Sequence, residues 1–133
     1  MIPLKWMPVF GMFVATAAQA GSAVDTLLDE FRGQEATAFD AQQGARFWTR
    51  TFSHDGQPAS RQCASCHTAD PRRAGKHART GKPIGALAPS VDGKRLDEIA
   101  KIRKWLKRNC KWTLGRECTA QEKGDVLTYL SKL

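Results

Sequence analysis

Apolar residues recur at helical spacing in four stretches of the chain. The first stretch carries four of them: Val24, Leu27, Leu28 and Phe31. Residues three or four positions apart lie on one face of a helix, so this spacing predicts a short amphipathic helix from Asp25 to about Arg32. A second helix is predicted to follow Asp40, a favoured N-cap residue, and its apolar positions include Phe47 and Trp48. Gly44 is unfavourable in the middle of this helix unless another segment packs closely against it.

The clearest amphipathic helix is predicted from Lys94 to Asn109. Five apolar residues fall within one half of its helical wheel: Leu96, Ile99, Ile102, Trp105 and Leu106. We expect Trp105 to lie in the core, and Asn109 projects into the same apolar stripe. A last helix is predicted to begin after Thr119, which forms a capping box with Glu122. Its apolar residues are Val126, Leu127 and Leu130.

The N-terminal stretch has the pattern of an export signal. Lys5 is followed by an uncharged apolar run from Trp6 to Ala17, and residues 18–20 have the A-x-A pattern of a cleavage site. This run is shorter than the roughly 20 apolar residues that cross a membrane as a helix. We therefore predict a signal peptide at residues 1–20, removed after Ala20. The mature chain, residues 21–133, is predicted to be a single periplasmic domain that does not span the membrane.

The chain is basic, with 21 Lys and Arg residues against 13 Asp and Glu residues and a net charge of +8. A surface of this charge can attract nucleic acids. Export from the cytoplasm argues against nucleic acid and in favour of an acidic protein partner or a membrane surface. At 133 residues the chain buries only a modest core, and such small domains often depend on a disulfide, a metal or a cofactor.

The strongest chemical signal is the segment Cys63–His67, which has the C-x-x-C-H pattern of covalent haem attachment. On one helical turn its two cysteines share a face, so each thiol can add to one haem vinyl group. His67, next along the chain, is then the candidate proximal ligand of the iron. A thioredoxin-like redox pair would need a βαβ context, and a zinc site would need a second close ligand pair; we find neither. The sequence therefore predicts one haem c attached through Cys63 and Cys66.

The two remaining cysteines, Cys110 and Cys118, are predicted to form a disulfide if the chain is exported to an oxidising compartment. Such a bond would close a small loop and fix the end of the predicted helix that carries Asn109. Two free thiols are the alternative.

The residue on the other side of the iron decides the function. Electron-carrying c-type cytochromes commonly use methionine there, but all three methionines lie in the predicted signal peptide: Met1, Met7 and Met12. The residues leave His54, His77, a lysine, an open position or Asn109 as alternatives. Asn109 is the only asparagine of the chain, and an amide without a partner is costly on a buried helix face. A helix C-cap is the other common role for asparagine.

Several runs of residues resemble the sphaeroides haem protein family, which consists of small, high-spin, oxygen-binding class I c-type cytochromes. The runs are Arg79–Lys82, Leu87–Ser90, Lys104–Cys110, Leu114–Thr119, Glu122–Lys123 and Asp125–Leu127. The resemblance begins near Asp40 and reaches the C-terminus, and its most specific part is Arg-Asn-Cys followed by Gly-Arg-Glu-Cys. Ala86 departs from the family, which commonly has a proline there.

This resemblance implies an all-α, class I cytochrome c-like domain around one covalent haem, in which a glycine at the place of Gly44 lets the N- and C-terminal helices cross. It implies that Asn109 is the sixth ligand of the oxidised haem and leaves on reduction, so that O2 or NO can bind. It also implies a disulfide between Cys110 and Cys118. The partners that it implies are a dihaem c-type cytochrome and a membrane b-type cytochrome.

The expected protein is therefore a periplasmic mono-haem cytochrome that accepts electrons and binds O2 or NO at the reduced iron. Three other functions stay open. They are an electron carrier with two histidine ligands that binds no gas, a small haem enzyme (a peroxidase or an NO-detoxifying protein), and a gas sensor with a separate output partner. We favour electron transfer and gas binding over enzymatic turnover, because the sequence shows no distal histidine–arginine pair.

Overall fold

The computed structural model describes residues 22–34, 36–56 and 60–133. Five helices and one hairpin follow one another in the described ranges: α1 (Ala23–Arg32), α2 (Ala41–Thr49), α3 (Ala64–His67), β1 (Gly75–Lys76), β2 (Pro83–Ile84), α4 (Ile99–Leu114) and α5 (Ala120–Ser131). This architecture confirms the all-α fold class predicted from the sequence. The predicted signal peptide lies outside the described residues. None of the described helices is long and apolar enough to cross a membrane.

The starts of two helices agree with the capping residues seen in the sequence. The Asp40 side chain accepts a hydrogen bond from the Gln42 backbone N–H at 2.7 Å and so caps α2. At α5, Thr119 and Glu122 form the predicted capping box, because each side chain accepts a hydrogen bond from the backbone N–H of the other residue. These contacts fix where α2 and α5 begin.

Gly44 allows α2 and α5 to cross at close range. A Cβ atom at Gly44 would lie 2.1 Å from the Asp125 carbonyl oxygen and 2.7 Å from the Tyr129 Cβ, so only glycine fits. The buried Asp125 carboxylate also accepts hydrogen bonds from the Asp40 backbone N–H at 2.8 Å and the Gln121 side chain at 2.9 Å. The close packing expected at Gly44 is therefore present, and it joins α2 to the C-terminal helix.

Two clusters of buried apolar residues form the core. One joins α1 to α4 and α5, and its members are Val24, Leu27, Leu28, Phe31, Ile102 and Leu127. The other surrounds the α2–α5 crossing, and its members are Phe47, Trp48, Cys110, Leu114, Cys118, Val126 and Leu130. Cys63 and Ala64 pack against this second cluster, so the core directly supports the C-x-x-C-H turn.

The bounds predicted for the long helix, Lys94 to Asn109, are wrong at both ends, because α4 runs from Ile99 to Leu114. Leu96 has a left-handed backbone conformation with φ of 60°, which a right-handed helix does not contain. At the other end, Gly115 has φ of 76° and donates its N–H to the Lys111 carbonyl at 3.0 Å. A left-handed glycine of this kind is a common helix terminator.

The buried residues of α4 also differ from those predicted. Its buried residues are Ile102, Cys110, Thr113 and Leu114. Trp105 falls at the edge of this face and is 51% exposed, so the core position predicted for it is wrong. The Arg108 guanidinium lies over its indole ring, 5.2 Å from the ring centroid.

Candidate haem site

The segment Cys63–His67 forms one helical turn, as its spacing predicts. The His67 backbone N–H bonds to the Cys63 carbonyl at 3.3 Å. The Ser65 hydroxyl accepts a hydrogen bond from the Gln62 backbone N–H at 3.0 Å, which closes the N-terminal side of the turn. Both cysteines and His67 line one small cavity, which we call the haem cavity.

The haem cavity brings the candidate ligands together. Its lining residues come from α3, the residues just before it, and α4: Gln62, Cys63, Cys66, His67, Asn109, Trp112 and Thr113. Asn109 is half-buried in a helix that continues to Leu114, so the alternative role of a C-cap is wrong for it. Two thiols, an imidazole and an amide therefore lie at one cavity, and groups of these kinds can attach a haem and bind its iron.

The His67 side chain is held as a neutral imidazole. Burial, together with the positive charge of Arg95, lowers its pKa to about 4. Its Nδ1 atom is buried and has no hydrogen-bond partner among the described residues. The ring packs instead against Trp48, with 5.6 Å between the centroids, and the Trp48 indole is fixed by a 2.9 Å hydrogen bond to the Thr68 carbonyl. A neutral imidazole keeps the lone pair that an iron ligand needs.

The Cys63 thiol is also removed from water. Burial raises its pKa to about 12, so the group stays protonated at neutral pH. A redox-active or zinc-binding cysteine depends instead on a thiolate. The part of the chain that the structure describes also contains no group of three or more His, Cys, Asp or Glu side chains that could hold a metal ion. Both findings argue against the thioredoxin-like and zinc alternatives.

The β1–β2 hairpin, which was not predicted from the sequence, packs directly on the haem-attachment turn. The Ala78 backbone N–H donates a hydrogen bond to the Cys66 sulfur at 3.3 Å. A Cβ atom at Gly75 would lie 2.0 Å from the Cys66 carbonyl oxygen, so this contact requires glycine. The hairpin has two sequence signals, Gly75 and Gly81. The chain turns at Gly81, whose backbone is left-handed with φ of 70°.

The two other histidines do not line the haem cavity. The His77 Nδ1 accepts hydrogen bonds from the backbone N–H groups of Arg79 and Thr80, each at 3.2 Å. An Nδ1 that accepts hydrogen bonds leaves the proton of a neutral ring on Nε2, which is then not free to bind iron. His54 packs against Gly115, where an added Cβ would lie 2.7 Å from the His54 Cγ.

The last two cysteines attach α4 to the segment before α5. Cys110 and Cys118 are joined by a disulfide, with 5.5 Å between their Cα atoms, and both residues are buried. Neither of them lines the haem cavity. Cys110 directly follows Asn109, so this bond anchors the turn of α4 that carries the amide.

Replacing both cysteines by alanine is expected to lower the free energy of unfolding by about 2 to 3 kcal/mol, because a disulfide over a short loop restricts the unfolded chain by that amount. Urea unfolding of the Cys110→Ala/Cys118→Ala variant, followed by circular dichroism, measures this loss. Wild type unfolded in the presence of dithiothreitol is the control, since it loses the bond but keeps both sulfur atoms. An unfolding midpoint that neither change lowers would show that the bond is absent in solution.

Known proteins resemble this chain in both sequence and structure. The DUF1924 family, described as a domain of unknown function, matches residues 34–130. The cytochrome c-type protein SHP of Cereibacter sphaeroides is 43% identical over 102 residues, which are 74% of this chain and 78% of SHP. The structure of oxidised SHP, an oxygen-binding cytochrome c, matches with a TM-score of 0.77 and 36% identity, over 86% of this chain and 100% of the SHP chain.

Cytochrome c'' from Methylophilus methylotrophus is a second structural relative. Its solution structure, which concerns haem-ligand detachment, matches with a TM-score of 0.69 and 32% identity. The match covers 80% of this chain and 90% of the cytochrome c'' chain. Both relatives therefore match this chain over most of their length.

Proposed function

Since the chain belongs to the DUF1924 family and to the sphaeroides haem protein family, and carries one covalently bound haem c, we propose that it accepts electrons in the periplasm and binds O2 or NO when its haem is reduced. The observation that carries this proposal is the presence of Asn109 at the same cavity as Cys63, Cys66 and His67. An amide is a weak ligand, whereas an ordinary electron-carrying cytochrome has strong ligands on both sides of the iron.

Four side chains would hold the haem and control access to it. The Cys63 and Cys66 thiols would attach it through thioether bonds, and the neutral imidazole of His67 would be the proximal ligand. Asn109 would supply the distal ligand through its amide oxygen. When bound, the haem supplies an iron atom that alternates between the ferric and ferrous states and can bind a diatomic gas.

The chemistry of Asn109 favours a distal side that opens on reduction. A neutral amide oxygen is a hard donor, and it suits ferric iron better than the softer ferrous iron. The disulfide between Cys110 and Cys118 anchors the adjacent turn of α4, so a change in the ligation of Asn109 would be a movement of its side chain. The relationship to cytochrome c'', whose structure concerns haem-ligand detachment, supports this part of the proposal.

The electron donor in this proposal is another cytochrome. By the family resemblance, the candidates are a dihaem c-type cytochrome and a membrane b-type cytochrome. The helix that carries Asn109 exposes Lys104, Arg108 and Lys111 to solvent. Their charges would attract an acidic partner surface and speed up its association. The signal peptide, residues 1–20, would direct this export and would be removed after Ala20.

Optical and EPR spectra of the exported holoprotein test the proposal when they are recorded in the oxidised state, after reduction, and after addition of NO. A weak amide ligand predicts a high-spin oxidised haem, and an open distal side predicts rapid NO uptake after reduction. A haem that stays low-spin in both states and does not react with NO would contradict the proposal. It would indicate a second strong ligand, such as His77.

A further inference from the structure

Arg61 makes two contacts with a single residue of α4. Its guanidinium lies 4.0 Å from the centroid of the Trp112 ring, and its Nη1 donates a hydrogen bond to the Trp112 carbonyl oxygen at 2.9 Å. Arg61 lies shortly before Cys63 in the sequence, and Trp112 lies shortly after Asn109. This pair of contacts, which we call the Arg61 clamp, joins the segment leading into the haem-attachment turn to the helix that carries Asn109.

The position of Trp112 explains why the Arg61 clamp stabilises α4. The helix ends at Leu114, so the Trp112 carbonyl belongs to its last turn, where carbonyl groups lack donors within the helix. The guanidinium supplies such a donor, and it also places a positive charge at the negative end of the helix dipole. Stacking of a guanidinium on an indole ring adds a cation–π attraction. Arg61 therefore caps α4 from outside the helix.

The backbone of Arg61 is itself held in place. Arg61 and Phe52 pair through two backbone hydrogen bonds of 2.8 Å. The Phe52 ring packs on Phe47 of α2, with 5.2 Å between the centroids. The next residue, Gln62, donates a side-chain hydrogen bond to the Thr51 hydroxyl at 2.9 Å. The Arg61 clamp thus connects the end of α4 to a segment that is fixed on α2.

We infer that Arg61 is a positioning residue for Asn109. Gln62 and Trp112 line the haem cavity from two different segments, and the Arg61 clamp ties these segments together. It holds the last turns of α4 at a fixed distance from the turn of Cys63, and so keeps Asn109 engaged in the oxidised protein. This inference rests on the proposed role of Asn109 and adds the residue that sets how easily the amide is displaced.

The Arg61→Ala variant of the holoprotein tests the inference. We expect a smaller share of amide-ligated haem in the oxidised EPR spectrum. NO association with the oxidised protein should become faster, but by less than the roughly tenfold change expected of Asn109→Leu, because the weakened clamp still leaves the amide in place as a ligand in part of the molecules. Association with the reduced protein should be unchanged, since Asn109 has already left. The Arg61→Lys variant keeps a positive charge near Trp112 but loses the planar guanidinium group. Its rate of NO association should therefore lie between the rates of wild type and Arg61→Ala.

Arg32→Ala is the matched control for the Arg61 clamp. It removes the same charge and a similar stack, because the Arg32 guanidinium lies 5.4 Å from the Phe39 ring centroid, and neither residue belongs to the clamp or to the segment that holds it. This variant should match wild type in the oxidised EPR spectrum and in the rate of NO association. A change as large as that of Arg61→Ala would overturn the inference, because a general loss of charge would then explain both results.

Further variants separate the inference from the proposed function. If Asn109→Leu leaves the oxidised spectra unchanged, Asn109 is not a ligand and the proposed function itself fails. If Asn109→Leu changes them but Arg61→Ala does not, the positioning role of Arg61 is overturned and the proposed function stands. Far-UV circular dichroism shows whether Arg61→Ala is folded. If it is not, the oxidised spectra and NO association of Arg61→Lys are compared with those of wild type instead.

A double variant tests whether Arg61 acts through Asn109. NO association with the oxidised Arg61→Ala/Asn109→Leu protein should be as fast as with Asn109→Leu alone, because residues that act on one event are not additive. A further increase in the double variant would overturn the inference, since Arg61 would then control access without acting on the amide.

Discussion

The Asn109→Leu variant is expected to bind NO in the oxidised state about tenfold faster than wild type, or more. The Asn109 amide competes with the incoming gas for the iron. When the amide occupies about nine-tenths of the oxidised haems, only about one-tenth are open to NO, and apparent binding is roughly tenfold weaker. Leucine has the same branched shape and number of heavy atoms as asparagine but no atom that can bind iron, so α4 and the disulfide at Cys110 should remain intact. Stopped-flow mixing of the oxidised holoprotein with NO measures the rate, and EPR reports the change in ligands.

Two controls make this prediction specific to the distal ligand. In the reduced state Asn109 has left the iron, so Asn109→Leu and wild type should take up NO at similar rates. The His77→Ala variant should match wild type in both states, because the His77 Nδ1 is already engaged by the N–H groups of Arg79 and Thr80. Unchanged oxidised spectra for Asn109→Leu, or open-site spectra for His77→Ala, would be inconsistent with an amide ligand.

The Gly44→Ala variant is expected to lose about 3 kcal/mol of the free energy of unfolding, the upper end of the usual range for an overpacked position. The added methyl group would lie 2.1 Å from the Asp125 carbonyl oxygen and 2.7 Å from the Tyr129 Cβ. Neither atom can move without its backbone, so α2 and α5 would have to separate. Since Trp48 of α2 packs on His67, the haem site should be disturbed as well. Urea unfolding followed by circular dichroism measures the loss.

Gly93→Ala is the matched control for this change. Nothing lies within 4 Å of the position of an added Cβ at Gly93, and its backbone is not left-handed. The same substitution there should be neutral or stabilise the fold by less than about 1 kcal/mol. If Gly44→Ala and Gly93→Ala unfold at the same urea concentration, α2 and α5 do not cross as closely as the structure indicates.

Helical periodicity was sufficient to predict α1, α2 and α5, and the capping residues Asp40 and Thr119 also marked the starts of α2 and α5. The start of α1 was predicted at Asp25, although the helix begins at Ala23.

The bounds of α4 were predicted incorrectly. Leu96 continues the apolar spacing, yet its left-handed backbone places it outside the helix. At the other end, the polar run of residues 107–111 resembles a helix end, although Thr113 and Leu114 further along are buried. The left-handed Gly115 is a local signal that marks the end of α4, but the polar residues before it hid this end from a prediction based on periodicity.

The residues of the candidate site also differ in how well the sequence alone predicts them. Cys63, Cys66 and His67 are neighbours in sequence, so one helical turn is enough to bring them together, and their spacing alone predicts it. Asn109 reaches them only through folding, and periodicity left a C-cap as its alternative role until the resemblance favoured a ligand. The Arg61 clamp joins residues that are 51 positions apart and has no local sequence signal.

The most direct test of an amide ligand that leaves on reduction is a pair of crystal structures of the holoprotein, one oxidised and one reduced. We predict that His67 and the Asn109 side-chain oxygen bind opposite sides of the iron in the oxidised crystal. After reduction, Asn109 should have withdrawn while the α4 backbone stays in place. A histidine or a water molecule in the position of Asn109 in the oxidised crystal, or an Asn109 that is bound in both states, would contradict this prediction.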